Sequence, residues 1–386
     1  MMNILVTGAK GFIGKNLIAT LMNIKVGYDN SYGLDNDLTI YEYDVDTDID
    51  LLDVYCKNAD FVFNFAGVNR PQNSKEFMKA NSNFLSQMLE LLKKNNNTCP
   101  VMLASSIQAE LDNPYGESKR SGEDLLVQYG KETGAKILIY RFPNVFGKWC
   151  RPNYNSVIAT FCYNISRGLP IQVNDPNVTL TLVYIDDLIN EMIKALKGVP
   201  TIGLERYCIV PTFYTIKLGD IVDMLYYFMN CRESKEIPDM TKGSFSKKLY
   251  ATYLSYLPRN QFSYPLKTNI DERGSFTEIW RTLDKGQISV NVSKPGVTKG
   301  EHWHHTKNEK FVVLSGKGLI QLRMVGCNEI VEYYVSGEKL EVIEIPVGYT
   351  HNIINIGDKD MITLIWCNEC FDIKKPDTFF LKVKEE

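Results

Sequence analysis

The sequence lacks the features that mark membrane proteins and nucleic-acid-binding proteins. No apolar run approaches the roughly 18 residues that a membrane-spanning helix needs. The 43 basic and 46 acidic residues form no long run of one sign, so no patch for nucleic acid is indicated. The first residues, MMNILVTGAKGFIG, contain no basic segment followed by a long apolar one, unlike a secretory signal. These absences predict a cytoplasmic protein with no nucleic-acid partner and no membrane insertion.

A disulfide framework is also missing. The nine cysteines are scattered and odd in number, which favours reduced thiols and again the cytoplasm. One CxxC pair occurs, Cys367 and Cys370, without a second pair or a nearby histidine. It is therefore interpreted as two free thiols rather than as a metal or redox site.

Histidine is absent before position 302. Three of the four histidines lie in KGEHWHHTKNEK, residues 299–310, and the fourth is His351 in PVGYTHN. Such a concentration indicates that the imidazoles share one task in the C-terminal part of the chain.

The hydrophobic pattern changes along the chain. The first half alternates strand-like runs such as NILVTG, FVFNFAG and KILIYRF with helical runs such as FLSQMLELLKKN, which predicts a doubly wound parallel sheet of the Rossmann type. The last part has short alternating runs split by Gly and Pro, which predicts an all-β barrel or sandwich. We expect an α/β domain at 1–245, a linker at 246–261 and an all-β domain at 262–386.

A glycine-rich turn follows the first predicted strand. TGAKGFIG places Gly8, Gly11 and Gly14 between a strand and a helix. Glycine lets the backbone approach a pyrophosphate, and the helix N-terminus offers unpaired N–H groups to it. The stretch Thr7–Gly14 therefore predicts a dinucleotide site.

A second motif in the first half suits proton transfer. In NPYGESK, Tyr115 and Lys119 are four residues apart and share a helix face. A neighbouring lysine is expected to lower the pKa of the phenol, which can then protonate a carbonyl as hydride arrives. Ser106 ends the strand VMLASS and could hydrogen-bond the same carbonyl. We predict these three residues to be catalytic.

These motifs resemble those of the extended short-chain dehydrogenase/reductase family. TGAKGFIG, Ser106, the Tyr115–Lys119 pair, YRFPNVFG and VYIDDL occur in the family's order. The resemblance implies a nicotinamide cofactor and a nucleotide-sugar substrate. Carried over to this chain, it places at the cofactor Thr7, Gly8, Lys10, Gly11, Phe12, Ile13, Gly14, Asp44, Val45, Ala66, Gly67, Tyr115, Lys119 and Phe142. It places Asn144 and Asn155 at the substrate.

Two residues disagree about the cofactor. Asp29 is predicted to end a second strand, IKVGYD, where an acid usually binds the ribose 2′-OH of NAD. Lys10, inside the glycine turn, could instead meet the 2′-phosphate of NADP. NADP(H) and NAD both stay open at this point.

The histidines carry a metal-site pattern. Residues two apart on a strand point the same way, so His302 and His304 are expected to face one side and His305 the other. Together with Glu309 and His351 they would make a divalent metal site. The spacing from Gly296 to Gly316 and from Pro346 to Asn355 resembles both halves of the cupin pattern. That resemblance implies a jelly-roll barrel whose metal ligands are His302, His304, Glu309 and His351.

A third run, TNIDERGSFTEI, precedes the histidines. It resembles a motif of nucleotide-linked 4-keto-6-deoxysugar epimerases, which are also cupin barrels. The resemblance makes Arg273 a candidate for substrate contact, whereas a surface turn with an ion pair is the alternative interpretation.

Over nearly the whole length the chain resembles bifunctional capsular-polysaccharide enzymes of the CapF type, through stretches such as DNPYGESK, TYLSYLP and HWHHTKNEKF. The resemblance implies a homodimer that binds zinc or another divalent metal. Its cupin would epimerise C3 of a UDP-2-acetamido-2,6-dideoxy-4-keto-hexose. Its reductase would then reduce C4 with NADPH, giving a UDP-N-acetyl-6-deoxy-talosamine-type sugar on the route to UDP-N-acetyl-L-fucosamine.

Two other interpretations of the cupin stay open. It could be a metal-stabilised dimerisation module beside an active reductase, or an iron site that uses oxygen, since three histidines and a glutamate also suit iron. The base of an epimerase is not identified by the sequence, and Lys310, His305 and Tyr349 are only nearby candidates.

Overall fold

The structure is a computed structural model that describes residues 1–67, 82–203, 207–282 and 284–384. The chain divides into two compact units: Met1–Tyr226 with Gly243–Pro258, and Tyr227–Lys242 with Arg259–Glu386. In this division Tyr227–Lys242 is grouped with the second unit, and Gly243–Pro258, which includes most of the predicted linker, with the first. The domain boundaries expected from composition stay predictions. Each unit is described by itself.

The first unit is built on a six-stranded parallel sheet in the order β2-β1-β3-β4-β5-β8. It also contains a three-stranded sheet in the order β6-β7-β9. Its strands are β1 (Met2–Thr7), β2 (Leu38–Tyr43), β3 (Phe61–Asn64), β4 (Val101–Ser106), β5 (Ile137–Phe142), β6 (Asn144–Phe146), β7 (Thr179–Tyr184), β8 (Tyr207–Cys208) and β9 (Tyr214–Lys217). Its helices are α1 (Phe12–Lys25), α2 (Ile49–Asn58), α3 (Phe84–Lys94), α4 (Pro114–Thr133), α5 (Val157–Ile165), α6 (Ile185–Leu196), α7 (Leu218–Ser234), which runs on into the second unit, and α8 (Phe245–Ser255).

Helices cover both faces of the parallel sheet. Ile4 and Val6 of β1 belong to one buried cluster, with residues of α1 and α6. Leu5, between them, belongs to a second cluster with residues of α2, α3 and α4. Because successive strand residues point to opposite faces, a strand buried on both sides reads as a continuous apolar run. The doubly wound Rossmann-type fold predicted from the sequence is confirmed.

The strand predicted at residues 24–29 is wrong. Ile24 and Lys25 are the last residues of α1, and residues 26–28 form a turn. Ile24 is 1% exposed and continues the buried helix face of Leu17 and Leu21, whereas Val26 is 53% exposed. The isoleucine therefore follows the helical period and not the strand period. The strand beside β1 is β2 instead, paired in parallel from Met2 with Leu38 to Thr7 with Tyr43.

The second unit consists of antiparallel sheets, apart from the end of α7 and a short 3-10 helix at Arg259–Gln261. Two sheets form it, in the orders β10-β11-β12-β19-β14-β17 and β16-β15-β18-β13-β20. The strands are β10 (Thr268–Asp271), β11 (Gly274–Thr282), β12 (Gly286–Ser293), β13 (Thr298–Trp303), β14 (Glu309–Ser315), β15 (Lys317–Met324), β16 (Ile330–Ser336), β17 (Ile343–Ile345), β18 (Tyr349–Asn355), β19 (Met361–Cys367) and β20 (Phe379–Phe380). Side chains from both sheets, among them Phe311, Ile320 and Ile353, pack into one core. The arrangement is consistent with the predicted cupin.

Candidate active sites

The glycine turn of the first unit leaves no room for a side chain at Gly8 or at Gly14. Gly8 has a φ of 66°, and a Cβ on it would lie 2.8 Å from the Ala66 backbone nitrogen. A Cβ on Gly14 would lie 2.3 Å from the Gly8 carbonyl oxygen. Gly11 caps α1 without a side-chain hydrogen bond, so the first N–H groups of the helix stay available for an anion. The turn therefore fits the pyrophosphate of a dinucleotide.

Several predicted cofactor residues surround this turn. The Thr7 hydroxyl donates to Asn64 Oδ1 at 2.5 Å. The Lys10 N–H donates to Asp44 Oδ2 at 2.7 Å, and the Lys10 ammonium pairs with Asp46. Phe12 and Ile13 are partly buried on α1, Val45 is fully exposed, and Gly67 follows Ala66 after β3. Lys10 is thus tied to a carboxylate rather than extended towards a phosphate.

Asp29 does not end a strand. Its carboxylate accepts hydrogen bonds from the N–H and the hydroxyl of Ser31, 2.9 and 2.6 Å away, in the turn after α1. The acid that follows the strand beside β1 is Asp44. The acid expected at the ribose is the one at the end of the strand beside β1. That acid is Asp44 and not Asp29.

The Ser106, Tyr115 and Lys119 side chains come together where β4 ends and α4 begins. Asn113 caps α4 by accepting from the Gly116 N–H at 2.8 Å, and Pro114 occupies the first turn. Tyr115 hydrogen-bonds Ser106. The Lys119 Nζ lies 5.7 Å from the centre of the Tyr115 ring and donates to the Ala104 carbonyl at 3.1 Å.

The expected lowering of the tyrosine pKa is wrong for this arrangement. Burial raises the pKa of Tyr115, and the hydrogen bond to Ser106 offsets that only in part. Burial also lowers the pKa of Lys119 to about 8. The lysine points to a carbonyl and not to the phenol, so it does not stabilise a phenolate here.

A buried carboxylate behind this pair was missed from the sequence. Glu123 is 1% exposed and lies one helical turn after Lys119 on α4. It accepts from Ser105 at 2.5 Å and twice from Arg141, at 2.9 and 2.7 Å. Ser105 is therefore a structural partner, and Ser106 is the serine that faces Tyr115.

The other predicted residues of this unit lie at the end of β5, at the start of β6 and before α5. Phe142 ends β5 directly opposite Ser106 and is buried. Asn144, at the start of β6, and Asn155, before α5, are both exposed. Their assignments to cofactor and substrate stay predictions.

The second unit brings together the four residues predicted to bind a metal. Ligand atoms of His302, His304, Glu309 and His351 all lie within 4.8 Å of one another. His302 on β13 is paired with His351 on β18, and Glu309 begins β14. Glu309 Oε2 is 3.1 Å from His351 Nε2 and 3.6 Å from His304 Nε2.

The donor set fits a divalent metal. The buried atoms His304 Nε2, Glu309 Oε2 and His351 Nε2 have no hydrogen-bond partner within the described part of the chain. His304 Nδ1 is 2.5 Å from the Asp377 carbonyl oxygen. Because a carbonyl oxygen only accepts, Nδ1 would carry the proton and Nε2 would be free to bind a metal. Burial, and then the neighbouring His351, lower the pKa of His302 to about 4, which keeps this imidazole neutral as a metal ligand must be.

A β-bulge shapes the approach to these ligands. In the pairing of β13 with β18, Lys299 is opposite Ile353 and His302 is opposite His351, with an irregularity between Gly300 and His302. Glu301, inside it, has a φ of 60°. The extra residue places Lys299 on the same face as His302 although they are three apart. That face lines a cavity of about 590 Å³.

The cavity contains groups that the sequence did not indicate. Its lining includes Lys299, Asn291, Gln287 and Lys307 together with the four metal-site residues. Arg273 is not part of the lining; it is exposed at the tip of the β10–β11 turn and pairs with Asp271 at 2.7 Å.

None of the three base candidates from the sequence lines this cavity. Lys310 pairs with Glu344, and His305 is exposed with its ring 4.4 Å from that of Trp303. Tyr349 packs against the apolar core of the second unit.

The sequence of the first unit matches a known family. The pattern of the NAD dependent epimerase/dehydratase family covers residues 4–204, more than half of the chain. The chain belongs to this family. Residues 269–379 match the Polysaccharide biosynthesis C-terminal domain.

Relatives of this family member extend over both units. A Pseudomonas aeruginosa protein, UDP-2-acetamido-2,6-beta-L-arabino-hexul-4-ose reductase, is 40% identical over 384 residues, all of both chains. The crystal structure of the capsular polysaccharide assembling protein CapF from Staphylococcus aureus has a TM-score of 0.91 and 54% identity, covering 99% of this chain and 100% of that one. CapF with the inhibitor 3-isopropenyl-tropolone has a TM-score of 0.86 and 50% identity, with the same coverage. The predicted resemblance to CapF is confirmed.

Among the described residues, no helix combines the length and the apolar character that crossing a membrane requires.

Proposed function

We propose that this chain is a bifunctional enzyme that acts on a UDP-linked 4-keto-6-deoxy sugar in surface-polysaccharide synthesis. The second unit would epimerise C3, and the first would reduce the C4 ketone with NAD(P)H. The single observation that carries the proposal is the presence of two separate sets of reactive side chains, Ser106–Tyr115–Lys119 and the His/Glu cluster beside a cavity. The similarity to a UDP-keto-sugar reductase and to CapF supports a nucleotide-sugar reductase or epimerase.

The first unit holds the groups that a ketone reduction needs. A nicotinamide cofactor bound at the glycine turn supplies the hydride. Tyr115 is then the proton donor to the carbonyl oxygen, because its pKa is raised and it stays protonated near neutral pH. Ser106, hydrogen-bonded to Tyr115, would orient the same oxygen. Lys119 would turn from the Ala104 carbonyl towards the cofactor.

The second unit suits proton transfer next to a ketone. A divalent metal held by His302, His304, Glu309 and His351 would polarise a bound carbonyl, as zinc does in other enzymes. The cavity of about 590 Å³ has the size of a small-molecule site and carries lysine and amide side chains. A purely structural metal site has no use for such a cavity, which favours epimerisation over a dimerisation module. The homodimer and the cytoplasmic location remain predictions.

The proposal is tested with the UDP-2-acetamido-2,6-dideoxy-4-keto-hexose and NADPH, or NADH, by following cofactor oxidation and the configuration of the product. We expect one product, inverted at C3 and reduced at C4. Reduction without inversion would reject the epimerase half. A mixture of a Tyr115→Phe and a His304→Ala variant should restore the inverted, reduced product that neither makes alone.

A further inference from the structure

Lys299 lines the same cavity as the four metal-site residues. The bulge at Glu301 turns its side chain to the face that carries His302, and it lines the cavity. Its Nζ donates to Asn291 Oδ1 at 2.7 Å and to the Val292 carbonyl at 2.9 Å. Both acceptors are neutral and come from β12, so they hold the amine in place without a balancing charge.

Two other cations that line the cavity are paired with a carboxylate. Lys235 lies 2.9 Å from Glu278, and Arg281 bonds the same carboxylate at 2.6 Å. Lys299, in contrast, has no carboxylate at ion-pair distance among the residues that the structure describes. Burial lowers the pKa of Lys299. Two charges have smaller effects on it: Asp271 raises this pKa and Arg273 lowers it. Both facts increase the share of neutral amine, the form that can accept a proton.

We propose that Lys299 is the base that removes the C3 proton of the keto sugar. The inference rests on the proposed function of the second unit. The C3–H bond breaks, its electron pair moves towards the C4 carbonyl to form an enolate, and a new N–H bond forms on Lys299. Protonation of the enolate at the opposite face of C3 by solvent completes the inversion, and Lys299 returns its proton to water.

The test measures deuterium entering C3 of the UDP-linked 4-keto sugar in D₂O without nicotinamide cofactor. Lys299→Met and Lys299→Arg should both lose exchange by about 10²-fold or more, because neither side chain accepts a proton near neutral pH. Metal content, melting temperature and C4 reduction of the C3-epimerised ketone should stay at wild-type values. Arginine carries a positive charge and has a volume similar to that of lysine, so it separates proton transfer from electrostatic or packing effects.

Three outcomes would overturn the inference. Exchange retained in Lys299→Arg would mean that only the charge matters. Exchange retained in Lys299→Met would remove the lysine from the reaction altogether. Exchange lost in Lys307→Met or Glu369→Gln but kept in both Lys299 variants would transfer the role to another cavity residue. An absence of exchange in the wild type would instead reject the epimerisation proposed above, so the two failures are distinguishable.

Discussion

Lys299 and His302 lie on one face of β13 although they are three positions apart in the sequence. A regular strand alternates its faces and would point the two side chains in opposite directions. Glu301, with its left-handed backbone, is the extra residue of the bulge. Its carboxylate accepts hydrogen bonds from Asn352 Nδ2 at 2.9 Å and from the Val383 N–H at 2.6 Å. The bulge thus joins a lysine to the metal-site residues in one cavity.

Asp377 should control metal affinity without being a ligand. Its carboxylate accepts from the N–H groups of His305, Thr306 and Lys307 at 2.9 to 3.0 Å, and its carbonyl oxygen lies beside His304 Nδ1. Asp377→Ala should weaken metal binding by about 10–100-fold, because the loop that orients His304 loses its anchor. Metal titration against a competing chelator measures this.

Asp372→Ala is the matched control, since that carboxylate caps an exposed turn by accepting from the Lys374 N–H. It should bind metal like the wild type. Equal affinities of the two variants would show that the Asp377 loop does not orient the ligand.

Asp44 should set the choice between NADH and NADPH. It follows the strand beside β1 and already contacts the Lys10 N–H, so its charge is placed to bind a ribose hydroxyl and to repel a 2′-phosphate. Asp44→Asn should raise the ratio of kcat/KM for NADPH to that for NADH by about 10-fold, or ~1.4 kcal/mol. Asp29→Asn, which removes the charge in the turn after α1, should leave the ratio unchanged. The reverse pattern would restore Asp29 as the discriminating acid.

Tyr115→Phe should abolish most of the reduction. The variant keeps the ring and loses the proton donor, so kcat for C4 reduction should fall by about 10²–10⁴-fold. The control is Tyr129→Phe at the far end of α4, whose hydroxyl donates to the Asn97 carbonyl at 3.0 Å and which should affect stability only. A Tyr115→Phe variant with wild-type kcat would place the proton donor elsewhere.

The buried Lys119 should make stability depend on pH. Its pKa is about 8 in the folded chain against an ordinary 10.5, so between these values the unfolded chain binds more protons. The free energy of unfolding therefore rises with pH over that interval. Replacing the lysine removes this part of the pH dependence. From about pH 8 to about pH 10.5, the free energy of unfolding of the wild type without cofactor should rise by roughly 1–3 kcal/mol relative to that of Lys119→Met. Denaturant unfolding at these two pH values measures the change, and Lys131→Met, at an exposed lysine, is the control. If the free energy of unfolding changed with pH in the same way in the wild type and in Lys119→Met, the burial of the charge would be contradicted.

Local sequence patterns predicted the parts of the structure that depend on neighbours in the chain. The glycine turn, the helical spacing of Tyr115 and Lys119, and the strand that ends at Ser106 are set within a few residues, and the structure contains them. The metal-site residues were also predictable, because His302, His304 and Glu309 carry a rare spacing.

Other features depend on pairing between distant segments, which spacing alone does not reveal. The sequence does not indicate a role for Lys299, because the bulge that turns its side chain is defined by the register of β13 against β18. The predicted strand end at Asp29 was wrong because the sequence IKV at residues 24–26 suits a helix end as well as a strand, and packing of Ile24 in the core decides between them. The Glu123–Arg141 pair joins α4 to β5 and has no local signature.

The central claim is that the second unit catalyses proton exchange independently of the reductase. Its most direct test is the incorporation of deuterium at C3 of the UDP-linked 4-keto sugar by the Tyr115→Phe variant in D₂O with no nicotinamide cofactor, compared with His304→Ala and His305→Ala. The account predicts wild-type exchange in Tyr115→Phe and in His305→Ala, and none in His304→Ala. Exchange that requires Tyr115 and persists in His304→Ala would place all the chemistry in the first unit.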